Sequence, residues 1–124
     1  MERRADSEVM HRIHVIVLTY NGAPYISACF DSLSKIEQGS HEVSVVAVDN
    51  GSSDGTPARI RAEHPWVELA ETGANLGYAG GMNFGIRRAF NAGADFVFVL
   101  NQDTEVAPGF LVEAVAAAEV EPRA

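Results

Sequence analysis

Positive charge is what this sequence has least of: nine Lys and Arg stand against seventeen Asp and Glu, a net charge of −8 at pH 7. Nucleic acid and anionic membrane surfaces are bound by clustered Lys and Arg, so neither is an expected partner. The same imbalance would repel an anionic nucleotide unless a metal ion or backbone N–H groups screened it locally. Cysteine is nearly absent too. Cys29 stands alone, which excludes an internal disulfide framework and fits a reducing compartment. It falls on the apolar face of an expected helix and reads as an inert core thiol. No apolar run approaches the roughly 18–20 residues of a transmembrane helix. The N-terminal MERRADSEVMHR is charged throughout and lacks the apolar stretch of a secretory signal. Residues 1–11 therefore read as a disordered leader, and the protein as cytoplasmic.

Several motifs are missing as well. A dinucleotide-binding G-x-G-x-x-G should follow the first strand, but the turn there is TYNGAP, with one glycine. No Gly-Lys-Ser/Thr occurs, which excludes a Walker A loop. The acidic stretch DNGSSDG is not an EF-hand loop, because Gly51 and Ile60 stand where ligands must be. His11, His14, His41 and His64 are scattered without zinc spacing, and His14 reads as a satisfied core or edge residue of a strand.

What is present is a regular alternation. With 47 % hydrophobic and 21 % charged residues, the 124-residue chain can bury the core of one soluble domain. Ile13 to Leu18, Val43 to Val48, Val67 to Glu71 and Phe96 to Leu100 read as strands. Phe96 to Leu100 is apolar at every position, which suits a strand covered on both faces. A helix is expected from Pro24, with Tyr25, Ile26, Cys29, Phe30, Leu33 and Ile36 at helical spacing and Gly39 as its stop. Thr56-Pro57 reads as an N-cap and first position of a second helix, ending before Pro65. The stretch GANLGYAGGMNFG reads as a glycine-rich loop entering a helix from Gly81 to Ala92, with Gly93 as its left-handed stop. A last helix runs from Pro108 to about Val120 and stops at Pro122. This βαβα order gives an α/β fold: a mostly parallel open sheet of about four strands with helices on both faces.

In such sheets the ligand sits outside the C-terminal strand ends, where strand order reverses. Those ends carry Thr19-Tyr20-Asn21, then Asp49-Asn50-Gly51-Ser52-Ser53-Asp54, then Asn101-Gln102-Asp103. Asp103, at the mouth of a strand, has the chemistry of a Mg²⁺ or Mn²⁺ ligand shared with a phosphate, but an Asp that caps the following turn reads the same way. Asp49 is either a ligand contact or an Asx-turn closing its loop. Asp54 reads as structural, a turn before a helix start. The glycine-rich loop at 75–81 would let backbone approach a phosphate, although glycine also simply permits positive φ.

The segments VIVLTYNGAPYI, VVAVDNGSSDGT, NLGYAGGMNFGI and GADFVFVLNQDT, in this order and spacing, resemble the inverting glycosyltransferases of family 2, above all their bacterial rhamnosyltransferase-like branch. The resemblance spans about residues 12 to 120. It implies the GT-A fold, in which a Rossmann-like nucleotide-binding half is fused to an acceptor-binding half. It implies that Thr19, Tyr20 and Asn21 line the nucleoside pocket and that Asp49 contacts the base or ribose. Asn75, Gly77 and Gly81 match the loop beside the donor. Asn101-Gln102-Asp103 matches the D-x-D motif with Asn in first position, leaving Asp103 as the main ligand of Mg²⁺ or Mn²⁺ and of the donor diphosphate. Arg87 and Arg88 match no functional position and read as a solvated helix face.

Family members continue into a second half that supplies acceptor contacts and an aspartate general base. After Asp103 this sequence offers only Glu105, Glu113, Glu119 and Glu121, none in a matching motif, so no residue is assigned as the base. Residues 12–124 therefore read as a donor region with the acceptor half absent. The reaction implied is metal-assisted transfer of rhamnose or another hexose, with inversion, from a nucleoside-diphosphate sugar to an acceptor hydroxyl. A dTDP-linked donor follows from the branch, with UDP and GDP open. The acceptor would be a saccharide or a lipid-linked one at the inner face of the membrane, as in cell-wall or polysaccharide biosynthesis. The alternative is a truncated, non-catalytic remnant that at most binds nucleotide. A sugar nucleotidyltransferase would need a glycine- and arginine-rich loop where TYNGAP stands. A sheet ending at its fourth strand would also leave an open edge, through which the chain is expected to self-associate.

Overall fold

The computed structural model describes residues 10–120, in which four strands alternate with four helices. The strands are β1 (Arg12–Thr19), β2 (Glu42–Asp49), β3 (Glu68–Glu71) and β4 (Phe96–Asn101). The helices are α1 (Ile26–Leu33), α2 (Thr56–Glu63), α3 (Gly77–Asn91) and α4 (Phe110–Val120). All pairings are parallel, in the order β3-β2-β1-β4. Of the expected leader at 1–11, residues 1–9 lie outside the described residues, as does the expected stop at Pro122, whereas His11 is held in the fold. His11 packs its ring against His41 and edge-on to Phe96. Among the described residues no helix is long and apolar enough to cross a membrane.

Alternation along the strands sorts side chains into two cores. Ile13, Val15 and Val17 of β1 join Val45 and Ala47 of β2 beneath Ile26, Phe30 and Leu33 of α1, Ile60 of α2, and Leu111 and Val115 of α4. Their neighbours Ile16, Leu18, Val46 and Val48 face the other way, under α3. Gly85 explains how closely that helix sits. A Cβ there would stand 3.1 Å from both Ile16 and Val48, tighter than ordinary packing.

Several expected boundaries move, for local reasons. α1 stops at Leu33 and not at Gly39, because Ser32 donates its hydroxyl to the Cys29 carbonyl (2.8 Å) and Ser34 to that of Asp31 (2.6 Å). The chain beyond is drawn off by a bond from Glu37 N–H to the Pro108 carbonyl (2.8 Å). At α2 the N-cap is Gly55, one residue before Thr56, with φ +85°. α3 begins at Gly77, four residues before the expected Gly81, so the supposed glycine-rich loop is largely the first turn of the helix itself. Gly93 does stop that region in the left-handed conformation, with φ +94°.

The two sheet edges differ. β3 has four residues, and its Glu68 and Glu71 pair with Arg88 (2.6 Å) and Arg61. Arg88 is thus tied to the sheet edge, whereas Arg87 is exposed as expected. β4 carries no charge in FVFVL and, against the expectation of full cover, is half-buried from Phe96 to Leu100. Among the described residues nothing pairs with its outer side.

Candidate functional site

The chain steps from β1 to β2 to β3 in one direction and then crosses back to place β4 on the other side of β1. The reversal opens a crevice at the C-terminal ends of β1 and β4, where open α/β sheets take their ligands. A cleft of about 550 Å³ lies there, within the ordinary range of small-molecule sites. Thr19, Tyr20 and Tyr25 line it from the β1 side, Asn50, Asn75, Gly77 and Tyr78 from the β2 and α3 side, and Asn101, Gln102 and Asp103 from β4.

Of the residues singled out in the sequence, Asn21, Asp49 and Gly81 do not line the cleft. Asp49 is 1 % exposed and its acceptors are occupied. Oδ1 takes the hydroxyls of Thr19 and Ser52, both at 2.7 Å, and Oδ2 takes the Ser52 N–H at 2.9 Å. It is the Asx-type closure of its own loop, with Thr19 bound in from β1. Asn21, at φ +47°, accepts the Ser53 N–H at 2.8 Å and so joins the β1 loop to the β2 loop. Gly81 is buried inside α3, where a Cβ would stand 3.0 Å from Asn50 Nδ2. Its glycine serves close packing on Asn50.

Asp54 has the structural place expected of it. It accepts the Thr56 hydroxyl, the Thr56 N–H (3.1 Å) and the Ala23 N–H (3.1 Å). The Thr56 hydroxyl is the first cause that holds this carboxyl below the usual aspartate range.

Asn50 was not singled out, yet it is the post of the cleft's far wall. It donates to the Gly77 carbonyl (2.9 Å) and to Asn75 Oδ1 (3.4 Å), and accepts the Leu76 N–H (3.0 Å). Helical spacing places Tyr25 on an apolar stripe, but it precedes α1 and is half exposed at the cleft. With Tyr20 and Tyr78 it brings all three tyrosines of the chain to this crevice. No periodicity marks such residues, because turn geometry orients them.

At β4 the arrangement reverses. Gln102 is the bound residue: its Oε1 accepts the Tyr20 N–H (2.9 Å) and its Nε2 donates to the Tyr20 carbonyl (3.1 Å). Asn101 and Asp103 on either side are exposed, and their side chains make no hydrogen bond or ion pair among the described residues. Beneath them Cys29 is fully buried. Burial, with Asp103 and then Glu105 adding, pushes its thiol up to about 11, so it is an inert thiol as expected. His14 is buried but not satisfied: its Nδ1, like Nε2 of His64, has no partner among the described residues.

Among the described residues no three His, Cys, Asp or Glu side chains converge to hold a metal. A single free carboxylate in a cleft fits a different arrangement. Mg²⁺ and Mn²⁺ are commonly held by one or two carboxylates, with phosphate oxygens and water completing the shell. Asp103 has that chemistry, and Asn101 lines the same cleft two residues before it.

The sequence profile described as glycosyl transferase family 2 matches residues 14–124. An N-acetylglucosaminyl-diphospho-decaprenol L-rhamnosyltransferase of Mycobacterium tuberculosis is 38 % identical over 118 residues, covering 89 % of this chain and 38 % of that protein. The mannosyltransferase PcManGT from Pyrobaculum calidifontis, solved with GDP-Man and Mn²⁺, superposes with a TM-score of 0.76 at 30 % identity, over 90 % of this chain and 33 % of its own. TarS 1–349 of S. aureus, solved with UDP, superposes at 0.72 and 26 % identity, over 87 % of this chain and 32 % of its own. This chain therefore spans about a third of the length of each of these proteins.

Proposed function

The chain belongs to glycosyl transferase family 2, and from that premise we propose that it is the nucleotide-sugar-binding region of a transferase that moves a hexose or deoxyhexose, with inversion, to an acceptor hydroxyl. One observation carries the reading. Asp103 presents an unengaged carboxylate to a cleft of about 550 Å³ in which Thr19, Asn50, Asn75 and Gln102 are already held by hydrogen bonds. In this proposal Asp103, with Asn101 beside it, holds a Mg²⁺ or Mn²⁺ shared with the donor diphosphate. The metal would supply Lewis-acid stabilisation of the leaving group.

The chain's own residues supply the rest of the donor site. Tyr20, Tyr25 and Tyr78 offer flat aromatic faces to the base or the sugar. Thr19 belongs to the floor, and Asn75 and Gly77 form a wall fixed by Asn50. The first turn of α3 carries no acidic residue, so its N–H groups favour an anion on that side. The donor is proposed to be dTDP-linked, with UDP and GDP as alternatives, and the acceptor a saccharide or lipid-linked hydroxyl at the cytoplasmic face of the membrane.

A binding-only reading rests on one further observation. Among the described residues Asp103 is the only carboxylate lining the cleft, so with Asp103 on the metal none of them remains there to deprotonate an acceptor. The two readings share the donor site and part only at turnover. Calorimetric titration with dTDP, UDP and GDP, each with Mn²⁺ and with a chelator, tests what they share. Metal-dependent binding of one nucleotide is expected, and binding of none would overturn the donor site. Release of free nucleoside diphosphate from the matching sugar donor would then separate them.

The open, uncharged edge of β4 adds a proposal on assembly: the isolated chain pairs there with a second copy of itself. Sedimentation velocity checks it, and a monomer at high concentration would count against it.

A further inference from the structure

We infer that Gln102 is a positioning residue: its carboxamide replaces the next backbone rung between β1 and β4, and so fixes where Tyr20 and Asp103 stand in the cleft. The inference rests on the donor-site reading for its consequence and on geometry for its substance. The backbone register of the two strands ends at the pair Leu18–Asn101. Beyond it, both main-chain groups of Tyr20 are taken up by the Gln102 side chain, at 2.9 and 3.1 Å. A neighbouring strand would engage the two groups with its own backbone.

Because a side chain fills that place, the main chain of β4 is released to turn. The Thr104 N–H donates to the Asn101 carbonyl at 3.0 Å, closing the turn that carries Asp103. Gln102 is half-buried while its two neighbours are exposed, so one anchored amide faces inward and two free side chains face the cleft.

Gly22 makes the seat for this amide. A Cβ at Gly22 would stand 2.1 Å from Gln102 Oε1 and 2.7 Å from its Cδ, so it would displace the amide from this place. Gly22 is not among the positive-φ glycines, so its part is to leave space for the Gln102 amide and not to adopt a special backbone conformation. The residue at 102 must carry a donor and an acceptor on a planar head at this reach, which glutamine does. Glutamate lacks the donor, and methionine lacks the donor and offers only a weak sulfur acceptor.

Two independent perturbations of the one contact test this. Gln102→Met keeps length and removes the polar atoms, whereas Gly22→Ala leaves Gln102 intact but occupies its seat. With two hydrogen bonds lost, amide exchange at Tyr20 should accelerate at least about tenfold in either variant. Exchange at Val15 to Leu18 should be unchanged, which also shows that the fold is kept. Affinity for the preferred nucleoside diphosphate with Mn²⁺ should fall by roughly tenfold in both. Gly22→Ala combined with Gln102→Ala should be no worse than Gln102→Ala alone, since the clash goes with the amide.

Unchanged Tyr20 exchange, or faster exchange with wild-type nucleotide affinity, would overturn the inference. If the wild-type chain binds no nucleotide, the donor reading fails by itself, and exchange at Tyr20 alone decides whether Gln102 sets the crevice.

Discussion

β2 and β4 end in similar letters, Asp49-Asn50 and Asn101-Gln102-Asp103, and divide their work in opposite ways. At β2 the carboxylate is the anchor: Asp49 is 1 % exposed and holds Thr19 and Ser52 through three hydrogen bonds. Its neighbour Asn50 reaches out to fix the start of α3. At β4 the carboxamide of Gln102 is the anchor, and Asp103 is left free in the cleft. A buried carboxylate must spend its acceptors on the protein, because leaving them unmet is costly. An exposed one keeps them for a ligand. Residue type therefore does not assign the role; burial and bonding do.

The strongest way to break this comparison is to remove the anchor at β2. Asp49→Ala leaves the Thr19 hydroxyl and the Ser52 N–H without their acceptor in a buried place, and should cost about 2–4 kcal/mol of unfolding free energy. Urea denaturation measures this, and a loss below about 1 kcal/mol would deny Asp49 its structural role.

Gly51→Ala should come next. Gly51 has φ +85°, and a Cβ there would stand 2.8 Å from the backbone of Ala74 and Asn75, so the β2 loop would be forced off the entry to α3. A destabilisation of about 1–3 kcal/mol is expected by the same measurement.

The smallest effect belongs to Asp54, which sharpens the contrast without touching the cleft. Its carboxyl is held low, first by the Thr56 hydroxyl and then by backbone N–H groups. A carboxyl lowered in the folded state binds its proton less readily there than in the unfolded chain. Its stabilisation is thus complete above the ordinary aspartate value of about 4 and fades as pH falls below it. Because the group is exposed, the slope is shallow. Urea midpoints across the acid range should fall slightly less steeply for Asp54→Asn than for the wild type.

The sheet was legible because its strands are short, apolar and β-branched, and because alternation with helices leaves few topologies. The crevice was legible too, as a consequence of where parallel strands end. What the letters concealed was which polar groups are free. TYN and NQD each mix an anchor with a free side chain, whereas DN holds two anchors, and only the bonds made across the strand ends tell them apart. Gly77 and Gly80 looked like loop residues because glycine is a poor helix former, but they lie in the first turn of α3, which Gly81 and Gly85 let sit close on Asn50, Ile16 and Val48. The early end of α1 was hidden for a similar reason: two serine hydroxyls, and not the glycine beyond them, compete for its last carbonyls.

The central claim, that Asp103 is the free carboxylate of a metal-dependent nucleotide site, is tested most directly by one titration. Wild-type chain and Asp103→Ala are each titrated with the preferred nucleoside diphosphate in the presence of Mn²⁺, with unfolding curves taken on the same samples. The account predicts that metal-dependent binding is lost in the variant while stability stays within about 0.5 kcal/mol of wild type. Unchanged metal-dependent affinity in Asp103→Ala would contradict it.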